Sequence, residues 1–246
     1  MSNVNSPLEN LRVVLVAARN PLNIGSVARA MSNFGALHLR VVVPYAPAFR
    51  EARSAVGASA VLAAAQECKD IPEAVADCSL VVGTTAIRNR QPRQPLTQLG
   101  PAAVKIRKAL RSGRVALLFG SEKWGLSNEA LSHCHWLLHI PTRKEHQSMN
   151  LSHAVAVCLY ELARLPLPRS KSARNQSADM ATLDRIHATL LEALRESGYV
   201  NPRVSASAPE KLRRLIRRLQ FHPDDAEVFL GMLHKILWKL RSRPDR

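Results

Sequence analysis

Five short runs rich in Val, Leu and Ile recur along the first two thirds of the chain: LRVVLV from Leu11, LHLRVVV from Leu37, SLVVG from Ser79, VALLF from Val115 and WLLHI from Trp136. Runs of this length that are apolar at nearly every position suit strands buried on both faces. Between them lie helical patterns. Ile24, Val27, Ala28, Met31 and Phe34 fall on one helical face, as do Leu151, Val155, Cys158 and Leu162. Strands that alternate with helices predict an α/β fold with a mostly parallel sheet. Ligands then bind in the loops at the carboxyl ends of the strands.

After Leu162 the apolar period stops. The stretch ARLPLPRSKSARNQSAD combines prolines with polar residues, and residues 166–178 are read as a linker. The remainder is helical in pattern. Leu183, Ile186, Leu190, Leu191 and Leu194 form one stripe; Leu212, Leu215, Ile216 and Leu219 a second; Phe229, Met232, Leu233, Ile236, Leu237 and Leu240 a third. The expected organisation is an α/β domain over residues 1–165, the linker, and a small all-α domain over 179–246. In KLRRLIRRLQ, the arginines Arg213, Arg214, Arg217 and Arg218 are expected on the face opposite the leucines, as a surface for phosphates or a solvated charged face.

With 35 Lys and Arg against 19 Asp and Glu, the formal charge is +16. Neutralising phosphates is the common use of such an excess, so nucleic acid leads as the expected partner, with charge that keeps the protein soluble as the other reading. No apolar run approaches the roughly 18 residues of a membrane-spanning helix. The polar start MSNVNSPLEN shows no secretory pattern, so cytoplasm is the expected compartment. Cys68, Cys78, Cys134 and Cys158 are scattered, against a disulfide framework or a thiolate metal site. His133, His135 and His139 crowd Cys134, but the pleat turns neighbours to opposite faces and no metal site is expected. Signatures of P-loop, dinucleotide-binding and serine hydrolase chemistry are missing.

Three segments depart from ordinary scaffold. In NPLNIGSVARAMSNFG, Pro21 and Asn23 are read as a turn after a strand, and Gly25 as a point of close backbone approach. With Ile24 at the centre of the buried face, Arg29 lies about 140° around the helix, on the polar side with Ser26. In LLFGSEKWGLSNEAL, Gly120 and Gly125 bracket a loop that carries Glu122, Lys123 and Trp124, and Gly120 is placed to admit a ligand to the backbone. In IPTRKEHQSMNLSHAVAVCLYEL, Ser148 and Asn150 stand where a helix begins, as caps or as site residues.

Together with SLVVGTTA, these segments resemble the motif set of the SPOUT superfamily, in particular its TrmH-like RNA ribose methyltransferases. The ordered patterns N-x-G-S-x-A-R-A, F-G-S-E-x-x-G-L-S and S-M-N-L-S are most similar to the branch that methylates the ribose of C or U at nucleotide 32 of the tRNA anticodon loop. The resemblance covers roughly residues 11–162. It implies a parallel sheet with a C-terminal trefoil knot, a homodimer whose sites draw on both subunits, and S-adenosylmethionine as cofactor. It places the cofactor among Thr84, Thr85, Ala86, Gly120, Ile140, Gln147, Ser148 and Met149, the last standing where the family usually has Leu. It assigns catalysis to Arg29 with Asn23, Glu122, Ser148 and Asn150. A guanidinium resists deprotonation, so Arg29 is read as orienting the ribose hydroxyl and stabilising its alkoxide. For RNA contact the expected residues are Arg88, Arg90, Arg93, Arg143 and Lys144, with the four arginines of residues 213–218. Methylation of ribosomal RNA or another tRNA position, and RNA binding without catalysis, remain as alternatives.

Overall fold

The computed structural model describes residues 8–42, 49, 52, 60–86, 94–164, 177–200 and 207–242. Seven parallel strands form one sheet in the order β3-β2-β1-β6-β4-β7-β5. They are β1 (Leu11–Val16), β2 (His38–Val42), β3 (Gln66–Cys68), β4 (Leu80–Thr84), β5 (Leu96–Gln98), β6 (Val115–Phe119) and β7 (Trp136–His139). All six pairings are parallel. The central strands are the apolar ones because both of their faces are covered: β6 is buried at every residue. The five expected strands are present. The two edge strands, QEC and LTQ, have no β-branched run and were not anticipated.

One helical layer contains α1 (Pro21–Phe34), α2 (Ala60–Ala63), α4 (Leu99–Ala109) and α6 (Leu151–Arg164); the other contains α3 (Ile71–Val75), α5 (Asn128–Ser132), α7 (Met180–Glu196), α8 (Ala208–Leu219) and α9 (Pro223–Arg241). The first layer packs Ile24, Val27 and Met31 with Val155 and Leu159 over Val13, Leu15 and Leu117. The second packs Met180, Leu183, Ile186, Ile216, Leu230 and Leu233 over Val14, Val81, Leu118 and Leu137.

The C-terminal helices therefore share a core with the sheet and do not stand apart as a satellite domain. Backbone bonds join the two parts: Met180 N–H donates to the Cys78 carbonyl at 3.0 Å and Ala181 N–H to the Ala76 carbonyl at 3.1 Å. Residues 165–176, most of the expected linker, lie outside the described residues. Among the described residues no helix is long and apolar enough to cross a membrane.

The arginine face of α8 also departs from expectation. Arg217 is 1% exposed and Ile216 is buried, whereas Leu215 and Leu219 are 42% and 53% exposed. The helix is turned so that long guanidinium arms reach acceptors inside: Arg217 donates to Asp184 of α7 at 2.5 Å and Arg213 to the Ser132 hydroxyl of α5 at 2.8 Å. Arg217 is thereby withdrawn from the solvent surface. In α9 the buried stripe is Ala226, Leu230, Leu233 and Leu237, and Met232 and Ile236 of the expected stripe are exposed.

His135 has a structural role. Its Nδ1 accepts the Val81 backbone N–H at 3.0 Å, and burial pushes the ring down to about 3.

Candidate active site

The carboxyl ends of β4, β6 and β7 open onto a cavity of about 430 Å³. Thr84, Thr85 and Ala86 line it from the end of β4, the loop from Gly120 to Leu126 from the end of β6, and Ile140, Thr142, Gln147, Ser148 and Met149 from the end of β7; Leu151 and Ala154 of α6 close it. All eight residues expected to hold a cofactor line this one space. A volume of this size suits a small organic ligand.

The loop after β6 owes its shape to its two glycines. Gly125 has φ +67°, and its N–H donates to the Ser121 carbonyl at 2.8 Å. A side chain at Gly120 would meet the Gly125–Leu126 peptide, with Cβ 2.0 Å from the Gly125 carbonyl carbon. Gly120 thus admits the chain's own backbone, and the loop that results lines the cavity. Gly25 differs from expectation: a Cβ there has nothing within 4 Å. It lies within α1, which begins at Pro21 under an Asn20 cap rather than after a turn at Pro21 and Asn23.

Glu122, the next residue but one, ties the three segments together. Its carboxylate accepts the backbone N–H groups of Arg19 and Asn20 at 3.3 and 3.2 Å and the side-chain amide of Asn23 at 3.1 Å. Asn23 in turn accepts from the Asn150 amide at 3.0 Å. Asn150 caps α6, its Oδ1 accepting the N–H of Ser152 at 2.9 Å and the Ser152 hydroxyl at 2.8 Å. Partial burial raises the Glu122 carboxyl, and the hydrogen bonds from Asn23 and the backbone outweigh it, leaving the group below its usual range. The carboxylate is therefore ionised at neutral pH and fixed, while Asn23, 9% exposed, has both ends of its amide committed.

Arg29 is exposed on α1, on the same helical face as Leu22 and Ser26, as the helical angle predicts. It does not line the cavity of its own chain, and among the described residues no ion pair is made by it. Arg143 and Lys144 are exposed in the loop after β7, with Arg143 3.9 Å from Glu145. Arg88, Arg90 and Arg93 lie outside the described residues. At the rim, Trp124 is 70% exposed, with the Lys123 ammonium 4.9 Å from the centre of its ring. The signal for Trp124 in the sequence is an aromatic between two loop glycines.

The family model described as the SpoU rRNA methylase family matches residues 10–160. The chain is 32% identical to the tRNA (cytidine/uridine-2'-O-)-methyltransferase TrmJ of Pectobacterium atrosepticum, over 93% of this chain and 97% of that protein. It is 35% identical to TrmJ of Klebsiella pneumoniae, with the same shares covered. Among solved structures, TrmJ from Z. mobilis ZM4 superposes with a TM-score of 0.79 at 29% identity, over 92% of this chain and 98% of that one.

Proposed function

The chain belongs to the SpoU rRNA methylase family, and from that premise we propose that it methylates the 2'-hydroxyl of a tRNA ribose, C or U at position 32 of the anticodon loop, with S-adenosylmethionine as donor. The observation that carries this reading is the cavity itself, in which three separated motifs meet at the ends of β4, β6 and β7 and the Glu122–Asn23–Asn150 chain locks two of them to α1. Thr84, Thr85, Ala86, Gly120, Ile140, Gln147, Ser148 and Met149 would hold the donor through backbone groups and small side chains. When bound, the donor supplies a methyl group on a cationic sulfur.

The chain's own task is to orient the ribose and stabilise the oxygen as its proton leaves. Arg29 remains cationic and is the donor to that oxygen; the proton passes to water or to an RNA phosphate. Arg29 is exposed and is not among the residues that line its own cavity, which leaves it available to serve the cavity of a second copy. The active unit is accordingly a homodimer with each site built from two chains, and the exposed Leu22 beside Arg29 is apolar surface that such a partner covers. Asn23, Glu122, Ser148 and Asn150 hold the loops and the RNA in register.

Residues 1–165 carry the chemistry, with the loops after β6 and β7 drawn into a trefoil knot. Helices α7, α8 and α9 complete the second helical layer, and α8 adds basic surface for the RNA through Arg218, as do Arg143 and Lys144 near the site; Arg213, bonded to Ser132, and Arg214, paired with Glu210, are drawn toward acceptors in the protein. Arg88, Arg90 and Arg93, outside the described residues, are the remaining basic residues proposed for RNA contact. Arg217 serves indirectly, by seating α8. The setting is the cytoplasm, where tRNA is met.

The test is transfer of labelled methyl to tRNA transcripts, located by mass spectrometry of nuclease fragments. One 2'-O-methyl group at nucleotide 32 is expected, and a single 2'-deoxy substitution there abolishes it. Methylation elsewhere, or transfer that survives the deoxy substitution, would overturn the assignment.

A further inference from the structure

Helix α8 packs five cations into eight residues: Lys211, Arg213, Arg214, Arg217 and Arg218. Two carboxylates pair with them, Asp184 with Arg217 at 2.5 Å and Glu210 with Arg214 at 3.5 Å. Several guanidinium nitrogens are sealed from water with no acceptor: Arg213 Nε, one terminal nitrogen of Arg214, and Nε and one terminal nitrogen of Arg217. Donors of this kind are expensive to bury unpaired. Held there, they leave a positive potential that solvent screens poorly.

That potential opens onto a second cavity. It measures about 220 Å³ and is lined by Lys211, Arg214 and Arg218 of α8 and by Gln94, Pro95, Cys134 and His135. Gln94 and His135 are fixed. The Gln94 side-chain amide donates to the Leu131 carbonyl at 2.7 Å, and because His135 Nδ1 accepts from Val81 the ring carries its hydrogen on Nε2 as a further donor. Lys211 and Arg218 are exposed and able to move onto a ligand. Among the described residues no carboxylate lines the space. His135 stands before β7 and Ile140 after it, five residues apart, so along an extended strand this cavity lies about 16 Å from the active-site end of the sheet.

We propose that this second cavity is an anion site that takes a phosphate group, gripped by Lys211 and Arg218 under the field of the buried arginines. The phosphate comes either from the backbone of the bound RNA, away from the target ribose, or from a free phosphate compound. Only the first source rests on the proposed methyl transfer; the anion site stands without it.

The experiment uses the full chain at low ionic strength. Inorganic phosphate and pyrophosphate are titrated calorimetrically into the wild type, a Lys211→Ala/Arg218→Ala variant and an Arg218→Glu variant. tRNA affinity is measured against salt for all three, with S-adenosylmethionine affinity as a check on the separate cavity. One anion per chain is expected for the wild type, weakened about tenfold or more by either variant. Cofactor affinity stays unchanged because none of these residues lines its cavity. If RNA supplies the phosphate, the double variant also flattens the slope of log affinity against log salt by roughly 0.7 to 0.9 per lost contact. Loss of anion binding with the tRNA slope intact assigns the site to a free phosphate compound. Wild-type chain that binds neither phosphate nor pyrophosphate, with no change of slope in the variants, overturns the proposal whether or not the protein methylates tRNA.

Discussion

Replacing Gly120 by alanine adds one methyl group at the point where the loop after β6 turns back on itself. The new Cβ would lie 2.0 Å from the Gly125 carbonyl carbon and 2.2 Å from the Leu126 nitrogen. Such atoms rest about 3.5 Å apart, so the Gly125–Leu126 peptide must retreat by about 1.5 Å. The obstacle is backbone, which cannot step aside by changing rotamer. Overpacking costs typically about 1 to 3 kcal/mol, and a backbone clash belongs at the upper end. For a chain of this size, about 3 kcal/mol corresponds to a fall in Tm of roughly 6 to 12 °C. The displaced segment also lines the large cavity, so S-adenosylmethionine affinity should fall about tenfold or more, an expected loss of at least about 1.4 kcal/mol. Gly25→Ala is the matched control. With open space around its Cβ and a position inside α1, it should gain up to about 1 kcal/mol of helix propensity and leave cofactor affinity alone. Differential scanning calorimetry and titration calorimetry read both quantities. Gly120→Ala with wild-type Tm and affinity would refute the argument that this glycine makes room for the chain itself.

Asn23→Ala removes the bridge between Glu122 and Asn150 and leaves an acceptor and a donor unpaired, so urea denaturation should show a loss of about 1 to 3 kcal/mol; an unchanged midpoint would mean that water replaces the bridge at no cost. His133 and His135 are both pushed down to about 3 by burial from an ordinary value of 6.5. Their depressed folded values mean that stability is complete above pH 6.5 and is lost as pH falls toward 3, because the unfolded chain binds protons that the folded chain refuses. Between pH 7.5 and 5.5 each should cost on the order of 1 kcal/mol, and a flat urea profile over that range would contradict their neutral burial. Asp77, held by the bidentate Arg40 at 2.6 and 2.9 Å and lowered to about 2, should add a further loss only below about pH 4. Arg40→Met should remove that last step in the profile; its survival would place the cause elsewhere.

What was legible in the sequence follows from where the apolar residues had to go. The expected strands β1 and β6 coincide with their observed bounds, since a strand covered on both faces must be apolar along its whole length. Edge strands carry no such requirement, and QEC and LTQ have three residues each and little apolar pattern to read. The face of α8 differs from its sequence pattern for a related reason. Its leucines predicted a buried stripe, but Asp184 and Ser132 reward inward arginines, and those partners sit on helices far away in the chain. The same packing changes how the C-terminal part can be probed. A cut near residue 166 removes Met180, Leu183, Ile186, Ile216, Leu230 and Leu233 from the second core cluster, so point substitutions on the intact chain are the sound test of RNA contact there. The candidate cavity was legible residue by residue because family motifs mark it. The role of Gly120, the Glu122–Asn23–Asn150 chain and the exposed Trp124 depend on contacts across loops that one dimension does not display.

The most direct test of the central claim, a methyl-transfer site shared between two copies, is a mixing experiment. Arg29→Ala retains an intact cavity and lacks the cation proposed to stabilise the ribose oxygen; Gly120→Ala retains that cation and has a damaged cavity. In single-turnover assays Arg29→Ala alone should transfer methyl at about a hundredth of the wild-type rate or less, and Gly120→Ala alone, at donor concentrations below the wild-type dissociation constant, at about a tenth or less. When the two are unfolded together and refolded, half of the dimers are mixed and each mixed dimer carries one intact site, so about a quarter of wild-type activity should return. Activity no higher than that of either parent, in a mixture that light scattering shows to be dimeric, would contradict the shared site and return Arg29 to its own chain.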